Sequence, residues 1–324
     1  MGALARFLSA RRRDLAWVAL LLVGVAFALR VIGLDTQSLW RDEVDAIRFA
    51  SAPLADLLAT FVAPGQNGPL YYVLLRPWLE LAGTSEFALR FFSVAAGMVA
   101  VALVYQLARR LFPGHRWAPI VALLLAAASP YLVWYAGEGK MYSLFLCLAL
   151  LSTVCYVAAL ARGGWARWLA YVAVTAATFY VHLAGVLLLP AHALAFLLVG
   201  RRVRRARWRG WLASMAGLAL PYLPLLVWQW PMLREPATTG YPFVPLDNMV
   251  LSLVTSYSLG VIPPVSPWWL LPFAALLVAA AIWAAGRVVP WTSIGLLVTW
   301  LAVPVIVFFA ITLVRPIYTA RYLI

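Results

Sequence analysis

Leu39-Trp40-Arg41-Asp42-Glu43-Val44-Asp45 sets four charges within five residues of a chain that is 65% hydrophobic and 11% charged. It comes just after the first long apolar run, residues 15–34, which has about the 20 residues a helix needs to cross a bilayer. The chain leaves lipid for water here, and carboxylates held this close to a membrane are costly unless they are used. On a helix Asp42 and Glu43 point about 100° apart. Asp42 and Asp45, three residues apart, share a face. A solvated acidic loop is the plain alternative, and the rest of the chain argues against it.

An apolar share of 65% lies far above the roughly 45–50% of soluble domains. The apolar runs recur, and they are continuous rather than alternating, which predicts membrane-spanning helices and not a barrel. The net charge of +14 does not indicate nucleic acid, because the arginines sit in short connectors between apolar runs, as on the cytoplasmic side of a membrane protein. Cys147 and Cys155 lie in one apolar run, too far apart to bridge. Arg11-Arg12-Arg13, an apolar run and Ala26-Phe27-Ala28 imitate a secretory signal. The apolar character continues to Leu34, broken only by Arg30, so an uncleaved first helix is expected.

Spans are predicted over residues 15–34, 87–107, 117–133 and 141–160. Residues 168–199 are too long for one span and short for two; two helices with His182 at their turn keep Arg201, Arg202, Arg204, Arg205, Arg207 and Arg209 inside. Further spans are expected over 211–230, 268–285 and 292–314. The first outer loop, 35–86, holds Pro64-Gly65 and short apolar pieces suited to helices lying on the membrane surface. A second outer loop covers 231–266, with a surface helix over 247–261. The result is one all-α polytopic domain over 1–324, with about nine transmembrane helices. Its N-terminus is cytoplasmic, and the membrane is the plasma (inner) membrane. The chain ends at Arg321-Tyr322-Leu323-Ile324 as an apolar run begins, which reads as a missing C-terminal part.

This topology puts Asp35, Asp42, Glu43, Asp45, Asp56, Glu80, Glu86, Glu138, Glu235 and Asp247 outside and leaves Asp14 alone inside, whereas Arg109, Arg110, Arg116, Arg162, Arg167 and Arg287 fall inside. A site facing outward follows. Arg41-Asp42-Glu43, Asn67 to Tyr72, Glu138 to Tyr142 and His182 converge on it, and Arg315 and Arg321 are close by in this topology. Carboxylates beside cations, next to lipid, suit transfer of a group from an anionic lipid carrier. A carboxylate takes the acceptor proton, and lysine or arginine stabilises the departing phosphate. Each residue also has a duller reading. Lys140, the chain's single lysine, could snorkel; His182 could cap a turn; Tyr71, Tyr72 and Tyr142 could belong to an interfacial aromatic belt. No P-loop, GxGxxG or HExxH motif is present.

Trp40-Arg41-Asp42-Glu43 resembles the acidic signature of the GT-C membrane glycosyltransferases, in particular the protein O-mannosyltransferase and aminoarabinose transferase superfamily. Asn67-Gly68-Pro69-Leu70-Tyr71-Tyr72 is similar to that group's His-Pro-Pro-Leu-Tyr-Tyr segment. Ser129-Pro130 with Glu138-Gly139-Lys140-Met141-Tyr142 looks like its Glu-Ala-Arg-x-Tyr connection, and Tyr180-Val181-His182 and Arg321-Tyr322-Leu323 also fit. The resemblance implies a GT-C-like bundle, a polyprenyl-phosphate sugar donor and inverting transfer on the outer face to a lipid, glycan or protein acceptor. Asp42 would be the base and Glu43 its support. Lys140, Arg41 and Arg321 would meet the donor phosphate, and Asn67, Tyr71, Glu138, Tyr142 and His182 would line the substrate site. Asn67-Gly68 in place of His-Pro removes a cation or metal ligand, so no metal site is assigned, although a divalent metal is not excluded.

Two other classes stay open on sequence alone. A lipid-linked oligosaccharide polymerase or ligase would lean on outer-loop arginines more than on an early Asp-Glu pair. A transporter or flippase would carry internal repeats and mid-membrane ionisable groups, and the spans are nearly charge-free. A catalytically dead relative is a third alternative.

Overall fold

Two breaks in otherwise continuous apolar helix shape one end of the molecule. The computed structural model describes residues 2–62, 66–234, 241–261 and 290–324, and among these all regular structure is helical. The first apolar run becomes α1 (Gly2–Val31), whose segment Asp14–Val31 is long and apolar enough to span. The predicted surface helices follow as α2 (Arg41–Ser51), α3 (Leu54–Val62) and α4 (Pro69–Ala82). Next comes α5 (Glu86–Leu111), opened by Ser85, whose hydroxyl accepts from the Ala88 amide, and closed by Arg109 and Arg110 in its last turn. Both ends satisfy or complement the unpaired groups of the helix terminus.

The first break separates α6 (Trp117–Ala128) from α7 (Pro130–Ala136), which meet at a bend of 57°. Pro130 has no amide to donate and drives Ser129 out of helical geometry. The carbonyls freed by the bend do not stay unsatisfied. Arg30, buried inside the bundle, donates to the oxygens of Ala126 and Ala127 at 3.0 Å each and to Ala26 of its own helix. A charge that looks like an interruption of the first span is therefore what closes the broken one.

The second break is Gly137 to Met141, between α7 and α8 (Tyr142–Arg162). α8 turns into α9 (Trp165–Val181) through Gly163 and Gly164, both at positive φ (+67° and +90°), where a side chain would be strained. Gly163 also has no room for a Cβ, because the Arg207 guanidinium lies over it. His182 follows, then a 3-10 turn (Leu183–Leu187) and α10 (Leu188–Leu198). This matches the expectation of two short helices with His182 at their turn. α11 (Arg201–Arg234) runs the arginine cluster straight into the next apolar segment, so the basic connector is helix rather than loop. α12 (Leu246–Leu259), α13 (Trp291–Val314) and a 3-10 turn (Ala320–Leu323) complete the described chain.

Five helices among the described residues are long and apolar enough to cross a membrane, six if the bent pair counts as one. The expected count of about nine is not reached on these residues. α9 is a 17-residue helix and residues 183–198 form a shorter apolar one. The span expected over 268–285, together with Pro64-Gly65, Glu235 and Arg287, lies outside the described residues.

The chain crosses back and forth, which sorts its charges. Starts of α5 and α8 and ends of α7, α9 and α13 lie at one end with Asp42, Glu138, Lys140 and Arg321. Arg109, Arg110, Arg162 and the arginines from 201 to 209 lie at the other. Helices α2 to α4 pack over the first end by burying Ala46, Leu57, Phe61, Tyr71, Tyr72 and Leu75 against the tops of α5 and α8. In the bundle interior His192 is fully buried and satisfied, its ring nitrogens 3.3 Å from Thr153 Oγ1 and 3.2 Å from Tyr171 Oη.

Candidate functional site

The acidic stretch forms the first turn of α2, where negative charge complements the helix dipole. The helical step of about 100° sends its two adjacent acids to different places. Glu43 turns inward and is 1% exposed; the Asp42 side chain stays 35% exposed in the cleft.

Glu43 is held on all sides. Arg90 Nε donates to its Oε1 at 2.9 Å and Nη2 to its Oε2 at 2.7 Å, a two-point fork. The Gly139 amide adds a bond to Oε1 at 2.8 Å, and the Trp40 amide one to Oε2 at 3.3 Å. The rest of the Arg90 guanidinium donates to the carbonyls of Leu34, Gln37 and Ser38. Burial works against a charge on Glu43, but Arg90 and the two amides outweigh it and hold the carboxyl below the usual range. Glu43, expected to support Asp42 or the acceptor, is placed where it holds neighbouring elements together. Both its oxygens are occupied within the protein, and it locks α2 to α5 and to the second break.

That break places the lysine. Gly139 packs so tightly on Leu89 that a Cβ would come within 2.6 Å of its side chain, and this approach brings the Gly139 amide to Glu43. Lys140 next to it is buried, its carbonyl held by Ser93 at 3.1 Å, and its Nζ lies 3.8 Å from Asp42 Oδ2. Burial lowers the ammonium's pKa, and the Asp42 and Asp45 carboxylates offset part of that.

Glu138 accepts from the Trp134 indole at 2.8 Å through Oε1, while its Oε2 is buried without a partner. Burial pushes this carboxyl up to about 7, against the pull of the Trp134 bond and of Arg321. Arg321 enters from the other end of the chain. Its guanidinium carbon lies 5.8 Å from the ring centres of Tyr142 and Tyr322, the side chain is hydrogen-bonded with Tyr241, and its buried Nε has no partner among the described residues. His182 lies among Phe145, Tyr322 and Tyr142, with ring centres 5.1, 5.2 and 6.2 Å away. Its Nδ1 accepts from the Ala184 amide, so a neutral ring carries its proton on Nε2, which is buried and unpartnered. Burial, with Arg321 nearby, lowers its pKa to about 4.

Asp42, Lys140, Glu138, Arg321, Tyr142 and His182 thus come together; three other expected residues do not. Tyr71 is fully buried among Tyr72 and Phe92 and belongs to the core rather than to a substrate surface. Asn67 uses its Oδ1 to accept from the Leu183 amide at 3.0 Å, tying the start of α4 to the turn after α9. Arg41 is exposed and makes no hydrogen bond or ion pair among the described residues. Gly68 sits at φ +85°, which proline cannot adopt, and a Cβ there would meet Met141 Sδ at 2.6 Å. The departure from His-Pro is thus a change of backbone shape as well as a lost side chain. Arg90 is the residue that sequence reasoning missed. A lone charge four residues into a span pairs with something, and that signal was available.

Beneath this cleft lies an apolar cavity of about 320 Å³ between α8, α10, α12 and α13, with Phe145, Trp300 and Tyr322 in its wall. Tyr322 borders both the cavity and His182. Among the described residues no three His, Cys, Asp or Glu side chains converge as a metal site would require.

The chain is all-helical among the described residues with charged groups gathered at one end, as expected of a GT-C membrane glycosyltransferase. The profile of the dolichyl-phosphate-mannose-protein mannosyltransferase family matches residues 66–228, and the chain belongs to that family. A search of curated proteins gave no match.

Proposed function

We propose that this protein transfers a sugar from a polyprenyl-phosphate carrier to an acceptor hydroxyl at the outer face of the plasma membrane, with inversion, and that Asp42 is the general base. The observation that carries the reading is the pair Asp42 and Lys140, 3.8 Å apart at the mouth of the cleft, one half-exposed and the other buried. Of the two adjacent acids only Asp42 has a carboxylate that a substrate can reach.

The acceptor oxygen gives its proton to Asp42 and forms a bond to the anomeric carbon from the face opposite the phosphate. The bond from that carbon to the phosphate oxygen breaks, and the phosphate keeps the electron pair. Lys140 and Arg321 stabilise the charge that builds there. His182, neutral at pH 7, contributes an Nε2–H donor rather than a cation, and Tyr142 and Tyr322 hold the Arg321 guanidinium between their rings. The first isoprenoid units occupy the apolar cavity that adjoins Tyr322.

The test supplies membranes containing the protein with a radiolabelled polyprenyl-phosphate sugar and follows label into lipid, glycan and protein. Wild type should transfer label and Asp42→Asn should not, while both bind donor. Full transfer by Asp42→Asn would overturn the assignment of the base. Donor bound but unmoved by both would point to an inactive relative.

A further inference from the structure

At the arginine-rich end of the bundle, opposite the cleft, α5, α8, α10, α11 and α13 surround a second cavity of about 390 Å³. Arg110, Arg202 and Arg207 line it together with Thr292 and Ser293, while its deeper wall is apolar, including Leu160 and Leu296. No acidic side chain lines it.

Among the described residues no carboxylate pairs with the three arginines. Arg110 donates to the Val154 carbonyl at 2.9 Å, and Arg207 to the Leu160 and Ala161 carbonyls at 3.1 and 3.3 Å. These neutral acceptors orient two guanidinium groups and leave their charge intact. Arg202 is exposed and makes no hydrogen bond or ion pair among the described residues. Ser293, only 6% exposed, lines the same cavity. Three like charges around one cavity repel unless an anion joins them.

We infer that this cavity binds the phosphate group of an anionic phospholipid from the leaflet at the arginine-rich end, which is the cytoplasmic leaflet by the positive-inside rule. The guanidinium groups offer planar forks suited to phosphate oxygens. The apolar wall suits the start of an acyl chain, and Val203, which also lines the cavity, is 37% exposed where that chain would leave it. The site is independent of glycosyl transfer, and its test reads no activity.

The full-length protein is reconstituted in nanodiscs of phosphatidylglycerol mixed with phosphatidylcholine, exchanged into mild detergent and analysed by native mass spectrometry for retained lipid. Wild type should keep phosphatidylglycerol in preference to phosphatidylcholine. Arg202→Gln, at an exposed position without partners, should fold normally and keep about fivefold less, the factor expected for about 1 kcal/mol per basic residue. Ser293→Ala, which leaves every charge in place, should also reduce retention. Equal retention of the two lipids, or retention unchanged in both variants, would overturn the site. Thermal unfolding with inorganic phosphate gives the second arm. If millimolar phosphate alone stabilises the wild type as much as phosphatidylglycerol does, the occupant is free phosphate and the lipid assignment falls.

Discussion

Asp42 and Glu43 are neighbours in sequence with opposite situations, and their variants should behave differently. Asp42→Asn keeps the shape of the site and removes a proton acceptor, so transfer should fall by about 10² to 10⁴, the range of a general base, while thermal stability falls only slightly, because Lys140 loses a carboxylate that offsets part of its burial. Glu43→Ala strands Arg90 in the interior. Breaking a buried ion pair from one side costs about 3–5 kcal/mol, so the midpoint of thermal unfolding should drop sharply. Adding Arg90→Ala to Glu43→Ala should recover part of that loss in a double-mutant cycle, and additive losses would contradict the pairing. Glu138 belongs to a third kind. Its carboxyl, raised to about 7, binds a proton in the folded protein that the unfolded chain has released above about 4.5. The folded state therefore binds more protons across that window, and this contribution to stability is lost as pH rises through about 7. Above pH 7 its charge also competes with donor phosphate for Arg321. Glu138→Gln should flatten the pH dependence of both stability and donor KM between pH 5 and 8, and a pH profile identical to wild type would remove Glu138 from the site.

At the scale of elements, the site depends on two interrupted helices. The α7–α8 break carries Lys140, and its depth is set by contact of Gly139 with the Leu89 side chain. Leu89 is fully buried and has nowhere to move, so Gly139→Ala must push the break away and take Lys140 and the Gly139 amide with it. Transfer should fall about tenfold or more, since misplacement by about 1 Å can cost 10². The double variant Gly139→Ala/Leu89→Ala should regain much of the activity in the same labelled-donor assay. No rescue would mean the glycine matters for some other reason. The α6–α7 break falls inside the single span expected over 117–133, although Pro130 is the residue that makes it. The purpose of Arg30 was not legible in the sequence, because the carbonyls it serves lie 96 and 97 residues away in the chain.

For the whole molecule, charge sorting is the feature with the widest consequence. The proposed orientation, from the positive-inside rule, would put the Asp42 site outside and the basic cavity inside. Cysteine labelling tests it directly. With Cys147 and Cys155 replaced by alanine, Thr84→Cys near the cleft end should react with an impermeant maleimide on intact cells. Arg116→Cys at the other end should react only after permeabilisation. The reverse pattern would invert the molecule and place both sites in the wrong compartments.

The sequence by itself determined the helical class, the rough placement of the long apolar helices, the presence of short helices between the first two spans and the end of the bundle where acids gather. These follow from apolar run length, local charge and Gly-Pro punctuation, all of which act over one or two turns of chain. Tertiary structure alone decided which acid stays free, because that depends on Arg90, 47 residues beyond Glu43. It likewise decided that Tyr71 is core and Asn67 a tether, since residue type does not reveal whether a polar group is spent inside the protein. Hydropathy records how much of a helix prefers lipid. Which of its side chains meet, and which are left over for a substrate, appears only when distant segments pack.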